Sequence, residues 1–402
     1  MKTDAPRLRR RRGLYKEIDL PSIKDAVFYE DFDIAYRALC AILFNFSSSG
    51  HPGGSISAGK TMAALIFKTM DYDFAKPDRE DADIIIFAGG HKAMGMYGMW
   101  AMRDELVKAA NPKLLAGVKR RMRFEDLLGF RRNPMQGTPL FKKFKSKPLD
   151  GHPTPIVPFV PVATGPSGVG VCSAVGLSIG AKDIYGADAP KAHIIEGEGG
   201  MTPGRVHEVI AAAVTNGLSN LCMHIDWNQA SIDSDAVCAL DGVPGDYVQW
   251  DPVELMRLHD WNVVYAGNGH EAGNVHAALE EAAKMDNGLP TAIVYRTVKG
   301  WRYGVEGKKS HGGGHKFGSE GYDEALRPFE ERFKMKFPRL EQGLDKKAHE
   351  EAYWATLSAM KKALVAHPGM AKTAAAKVAA AQDRLNKRGR TPRSGPKLSK
   401  IY

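Results

Sequence analysis

Short apolar, β-rich runs recur along the chain at 83–87, 193–195, 221–225, 263–266 and 291–295. Between them lie stretches with helical character, at 173–185, 205–216, 252–258 and 272–283. Strands separated by helices of this length predict βαβ crossovers, and continuous apolar strands predict burial on both faces. The expected architecture is therefore α/β, a doubly wound parallel sheet with helices on both faces. A further helix is predicted at 34–45, and a Pro-, Gly-, Lys- and Phe-rich segment at 133–155 reads as a long irregular loop. From about residue 345 the composition turns to Ala and Lys in a helical pattern, over 350–366 and then 371–385. This divides the chain into an N-terminal arm at 1–20, a main domain at 21–330, a helical extension at 331–385 and a tail at 386–402. The Ala-rich 371–385 helix can be read as a docking element or as a frayed surface helix.

With 402 residues, 44% of them hydrophobic, the chain can bury a substantial core. No apolar run approaches the length that spans a bilayer, and no secretory signal pattern opens the chain, so a soluble cytoplasmic protein is expected. The net charge of +10 sits at the ends. Residues 1–12 carry +5 and residues 384–402 carry +7, which leaves the body at −2. Such tails read as solvated arms, which argues against a sequence-reading nucleic-acid surface. The Phe141-Lys142-Lys143-Phe144-Lys145 stretch reads as a solvated insertion loop. Cys40, Cys172, Cys222 and Cys238 lie far apart without CxxC spacing and read as inert thiols.

The chemistry concentrates at two strand ends. The strand ending at Ile195 runs into Glu196-Gly197-Glu198-Gly199-Gly200, and the strand ending at Ile225 runs into Asp226-Trp227-Asn228-Gln229-Ala230. Glycines at a strand-to-helix turn let backbone N–H groups approach phosphate oxygens, while a carboxylate and an amide oxygen can share a hard divalent cation. With Glu198 and Asn228 thirty residues apart, the arrangement resembles the thiamine diphosphate motif of the transketolase family. The resemblance implies that Glu198, the Asn228 side chain and the Ala230 carbonyl hold Mg2+ or another divalent cation, with Gly197 and Gly199 beside the cofactor. Glu198 replaces the family's Asp, moving the carboxylate by about one C–C bond where magnesium demands near-octahedral geometry.

Four of the thirteen histidines stand in contexts that resemble the same family: Ser49-Gly50-His51-Pro52-Gly53, Gly89-Gly90-His91-Lys92, Gly151-His152-Pro153 followed by Thr164-Gly165-Pro166-Ser167-Gly168, and Ser310-His311-Gly312 after Thr297-Val298-Lys299-Gly300. By resemblance, His51 and His152 contact substrate oxygens and His91 contacts diphosphate and substrate. His311 transfers protons and contacts diphosphate, with His315 as the fallback. Gly165 and Ser167 present backbone to the cofactor. Imidazole suits such roles because it exchanges protons near neutral pH.

The resemblance spans about 34–325 and implies a thiamine diphosphate-dependent transferase that moves a two-carbon ketol unit between sugar phosphates. Nothing after Asp345 reads as a second β/α domain, so the pyrimidine-binding domain and its glutamate are expected from a partner chain in a hetro-oligomer built on a dimer. Glu208 matches an interface position of the family, whereas Pro203 replaces a glutamate there. Two alternatives share parts of this reading: a 2-oxo acid dehydrogenase E1 component or deoxyxylulose phosphate synthase-like enzyme, and a non-catalytic structural or regulatory subunit.

Overall fold

The computed structural model describes residues 11–19, 21, 23–131, 137–231, 248 and 250–393. Residues 1–10 of the basic arm, 394–402 of the tail, and Cys238 lie outside them. The chain begins with β1 (Tyr15–Glu17), followed by helices α1 (Ala26–Ser47), α2 (Pro52–Ser57) and α3 (Gly59–Ala64). Next come β2 (Ile84–Phe87), α4 (Ala93–Ala110), α5 (Pro139–Phe144), α6 (Val169–Tyr185), β3 (Ala192–Gly197), α7 (Gly204–Thr215) and β4 (Leu221–Trp227). The order ends with α8 (Pro252–Leu258), β5 (Asn262–Asn268), α9 (Ala272–Lys284), β6 (Thr291–Arg296), α10 (Glu320–Phe333), α11 (Lys346–Val365) and α12 (Pro368–Arg388).

The six strands form one sheet in the order β1-β5-β6-β4-β3-β2. Every pairing is parallel, so all strands end on the same edge. Alternation along the strands splits the core into two clusters, as the two-residue period requires. Ile86, Ile194, Met223 and Val294 pack with Val171 and Val175 of α6 and Val206 and Ile210 of α7 on one face. Ile85, Ile195, Ile293 and Tyr295 pack on the other, larger face, which α1, α4, α9, α11 and α12 also line. This is the doubly wound sheet that the sequence pattern predicts.

Three elements differ from the sequence reading. The edge strand β1 falls inside the predicted arm; its three side chains are exposed, so it carries no hydrophobic signal, and pairing with Val263–Tyr265 holds it. The short helix α5 interrupts the predicted 133–155 loop. Finally, α12 is a core element. It buries Met370, Ala374, Val378, Ala381 and Leu385, and its small residues allow close approach to α4. Its C-terminal arginines are not free arms: Arg384 and Arg388 each place Nε 2.6 Å from the Asp71 carboxylate, and Arg390 lies 3.3 Å from Asp83.

Since Leu385 is fully buried at this seam, Leu385→Ala should lower unfolding stability by about 2–5 kcal/mol in urea denaturation. A loss below about 0.5 kcal/mol would mean that α12 frays from the surface.

Candidate active site

Parallel strands leave their carboxyl ends on one edge, where α/β sheets form ligand crevices. Here the ends of β2, β3 and β4 and the segment after β6 enclose a cavity of about 270 Å³. His51, His91, His152, Gly165, Ser167, Gly197, Glu198, Gly199, Asn228, Ala230 and His311 all line it. The structure thus brings these eleven candidate cofactor, metal and substrate residues to one place. His315 is the exception among the alternatives considered: its Nε2 lies 2.6 Å from the Tyr303 carbonyl, away from the cavity lining.

Local chain geometry sets the imidazoles. His51 immediately precedes α2, whose first residue is Pro52, a residue suited to a helix start. His91 sits in the 3₁₀ turn after β2. A Cβ at Gly54 would lie 2.6 Å from His91 Nε2, so glycine lets α2 pass against that ring. The His51 and His311 rings are 5.2 Å apart, as are those of His91 and His311, and His51 and His91 are 5.8 Å apart. His152 is exposed at the rim, its carbonyl accepting from the Tyr97 hydroxyl at 2.9 Å.

Burial is the main cause that pushes these rings toward the neutral form, to about 4 for His51 and about 3 for His311. His91 is lowered well below its usual value for the same reason, with Lys92 and Lys299 adding to it. All three are therefore neutral at physiological pH. His51 Nδ1 is buried without a hydrogen-bond partner among the described residues.

At the strand ends, Glu198 Oε2 accepts from the Asn228 backbone N–H at 3.2 Å, and Asn228 Oδ1 accepts from the Ala230 N–H at 3.1 Å. The Ala230 carbonyl accepts from Lys299 Nζ at 2.8 Å, and the same ammonium lies 2.9 Å from His311 Nδ1. Burial raises the Glu198 carboxyl above its usual range, with the neighbouring Asp226 charge acting in the same direction. Glu198, Asn228 and Ala230 thus offer a buried cluster of hard oxygen donors, the set that a small divalent cation prefers. The longer Glu198 side chain reaches the β4 end through its bond to the Asn228 amide.

Four residues without a role in the sequence reading prove central. Lys92 is buried, pairs with Asp226 and donates to the Gly54 carbonyl at 3.2 Å. Asp226 also accepts from Ser57 at 2.6 Å and from the Thr297 hydroxyl. Burial alone would raise the Asp226 carboxyl, but Lys92 and these donors hold it below its usual range. Lys299 bridges the β4 end to His311. Glu196 is fully buried at the cavity wall; burial pushes its carboxyl up to about 7, and its Oε2 has no partner among the described residues. A Cβ at Gly200 would collide with that carboxylate, so Gly200 makes the room that Glu196 fills. The signal for Lys92 and Lys299 is their position within the histidine motifs, and for Glu196 and Asp226 their position at the head of the strand-end motifs.

Two expectations follow. Gly200→Ala should destabilise the chain by about 1–3 kcal/mol through overpacking, and adding Glu196→Ala should recover part of that loss, a coupling of about 0.5–3 kcal/mol in a double-mutant cycle. Strict additivity would contradict the packing argument. The histidines set an acid limit: their native pKa values lie below the unfolded value of 6.5, so the unfolded chain binds more protons and stability falls as pH drops from about 6.5 toward 4. Each ring contributes at most about 1.4 kcal/mol per pH unit, less where water reaches it. Urea midpoints measured across this range should flatten in His51→Gln.

The chain matches the family model described as "Transketolase, thiamine diphosphate binding domain" over residues 117–336. It is 30% identical over 264 residues to a transketolase-like protein 2 of Bos taurus, covering 66% of this chain and 35% of that one. It is 28% identical over 278 residues to a transketolase of Homo sapiens, covering 66% and 36%. A solved transketolase from Campylobacter jejuni shares the fold with TM-score 0.62 at 21% identity, covering 91% of this chain and 49% of that one. A transketolase from Leishmania mexicana does so with TM-score 0.60 at 23% identity, covering 89% and 48%. The matched region thus spans about a third of the curated relatives and about half of the solved chains. The two strand-end motifs, the histidine cavity and these similarities agree: the chain belongs to the family of transketolase thiamine diphosphate-binding domains.

Proposed function

We propose that this chain is the diphosphate-binding half of a transketolase-type enzyme that transfers a two-carbon ketol unit between sugar phosphates. It would act with thiamine diphosphate and a divalent cation, magnesium by preference, in the cytoplasm. A partner chain would supply the pyrimidine-binding domain in a hetero-oligomer built on a dimer. The observation that carries this reading is the convergence of three neutral imidazoles, two buried ammoniums and a hard-oxygen cluster on one cavity.

The donor set fits the implied cation. Glu198, Asn228 Oδ1 and the Ala230 carbonyl would hold it, leaving positions for diphosphate oxygens. Lys299 and Lys92 add positive charge near those oxygens, and the backbone at Gly197 and Gly199 lets them approach. When bound, thiamine diphosphate supplies the carbon nucleophile for ketol transfer. The chain's own groups then bind and move protons. His51 Nδ1, without a partner among the described residues, is available to a substrate hydroxyl, and His152 at the rim can contact the sugar as it enters. His311, held through Nδ1 by Lys299, can exchange a proton through Nε2. Neutral His51 and His311 suit these tasks because each ring can both donate and accept. Exposed Glu208 on α7, beside Pro203, is the surface proposed to face a second subunit.

Calorimetric titration with thiamine diphosphate and Mg2+, with and without a pyrimidine-domain partner, tests the reading. Saturable binding that tightens with the partner is expected, and Glu198→Gln should weaken it at least tenfold, about 1.4 kcal/mol. Binding in neither condition would leave a non-catalytic subunit. Product analysis should then detect ketol transfer from a ketose phosphate, whereas exclusive decarboxylation of pyruvate would contradict the transketolase assignment.

A further inference from the structure

A second cluster of metal-ligating side chains lies deeper on the same strands. His193 of β3 stands opposite Cys222 of β4 in the parallel ladder. His224, two residues along β4, points to the same sheet face. One ligand atom from each residue lies within 4.8 Å of the others. His193 Nδ1 and His224 Nε2 are 3.0 Å apart. Ligands about 2.0–2.1 Å from a tetrahedral or trigonal metal stand roughly 3.3–3.6 Å apart, so the two imidazole nitrogens need part by only a few tenths of an ångström, while the thiol closes in from within 4.8 Å. His224 Nδ1 lies 3.0 Å from the Tyr295 hydroxyl, the kind of outer partner that orients a ligating imidazole.

Hydrogen bonding alone does not account for this cluster. The hydrogen bond between His193 Nδ1 and His224 Nε2 gives the neighbouring Cys222 thiol no role. The Cys222 side chain is a free thiol in the core. The cluster is separate from the cavity, since the first cavity-lining residues after His193 and His224 on these strands, Glu196 and Asn228, follow by three and four positions, roughly 10 and 13 Å along a strand.

We propose that His193, Cys222 and His224 form a buried copper(I) site, with Tyr295 as the positioning residue behind His224. Imidazole and thiolate donors exclude oxygen-seeking ions such as magnesium and select thiophilic ones. Charge then chooses between the two common candidates. One thiolate neutralises Cu(I), whereas Zn2+ would leave a net positive charge in a dry core at a cost of several kcal/mol. Three donors also complete a trigonal Cu(I) site, while zinc sites ordinarily take four. On binding, the Cys222 S–H bond breaks, an S–Cu bond forms and the proton leaves to solvent; no electron is transferred. Burial lowers both imidazoles below their usual range, and binding moves the proton shared between them to a ring nitrogen facing away from the ion.

The test is anaerobic titration of the full chain with Cu(I) against a chromophoric chelator, read by retained copper and by thiolate-to-metal absorption. One retained equivalent with that absorption is expected. Cys222→Ala should abolish the absorption, and Tyr295→Phe should weaken retention about 10–100-fold. His51→Ala and His311→Ala should change neither, which separates this site from the cavity imidazoles. If Cys222→Ala does not fold, His193→Leu serves in its place with the same expected loss. Equal copper retention in wild type and Cys222→Ala, absence of thiolate absorption in wild type, or preferential retention of Zn2+ would each overturn the proposal.

Discussion

The buried Lys92–Asp226 pair is the constraint on which the cavity depends. Two charges withdrawn from water need excellent geometry and further hydrogen bonds to hold their place. Here Lys92 donates to Asp226 and to the Gly54 carbonyl, while Asp226 also accepts from Ser57 and Thr297. These partners belong to α2, the turn after β2, the end of β4 and the segment after β6. Each is next to a cavity group. His51 precedes α2, His91 adjoins Lys92, Asn228 follows Asp226 by two residues, and Lys299 follows Thr297 by two. A single ion pair thus fixes the relative positions of segments far apart in sequence.

Around that pair the cavity gathers more buried charge than an ordinary core tolerates. Glu196 and Glu198 stand beside Lys299 and the Lys92–Asp226 pair, all nearly inaccessible. Low dielectric strengthens attraction and repulsion alike. Desolvation, with repulsion from neighbouring carboxylates added to it, raises both glutamates above their usual range. A divalent cation at the oxygen cluster would relieve that cost, and diphosphate would meet both the cation and the ammoniums. The raised carboxyls of the cavity and the metal-bound diphosphate proposed for it have one physical origin.

Much of this was legible in the sequence because the signals are local. Apolar runs of the right length marked β2 to β6, and glycine-flanked histidines and the Glu198–Asn228 spacing marked the cavity. What escaped depends on contacts that no local pattern records. Strand β1 has three exposed residues and exists through its pairing with β5. The docking of α12 rests on small residues whose value appears only against α4, and its arginines meet Asp71 and Asp83, some three hundred residues earlier. Lys92 and Asp226 were visible as letters in their motifs, but their pairing links positions 134 residues apart. Glu196 and Gly200 form a complementary pair of shapes, which neither residue announces alone.

The proposed function requires a divalent cation at the ends of β3 and β4, where it would anchor diphosphate. Crystals of the chain grown with thiamine diphosphate and Mn2+, examined by anomalous diffraction, test it most directly. One manganese peak within coordination distance of the Glu198 carboxylate, Asn228 Oδ1 and the Ala230 carbonyl, beside the diphosphate, is the expected result. Diphosphate bound without that peak, or manganese elsewhere in the cavity, would contradict it.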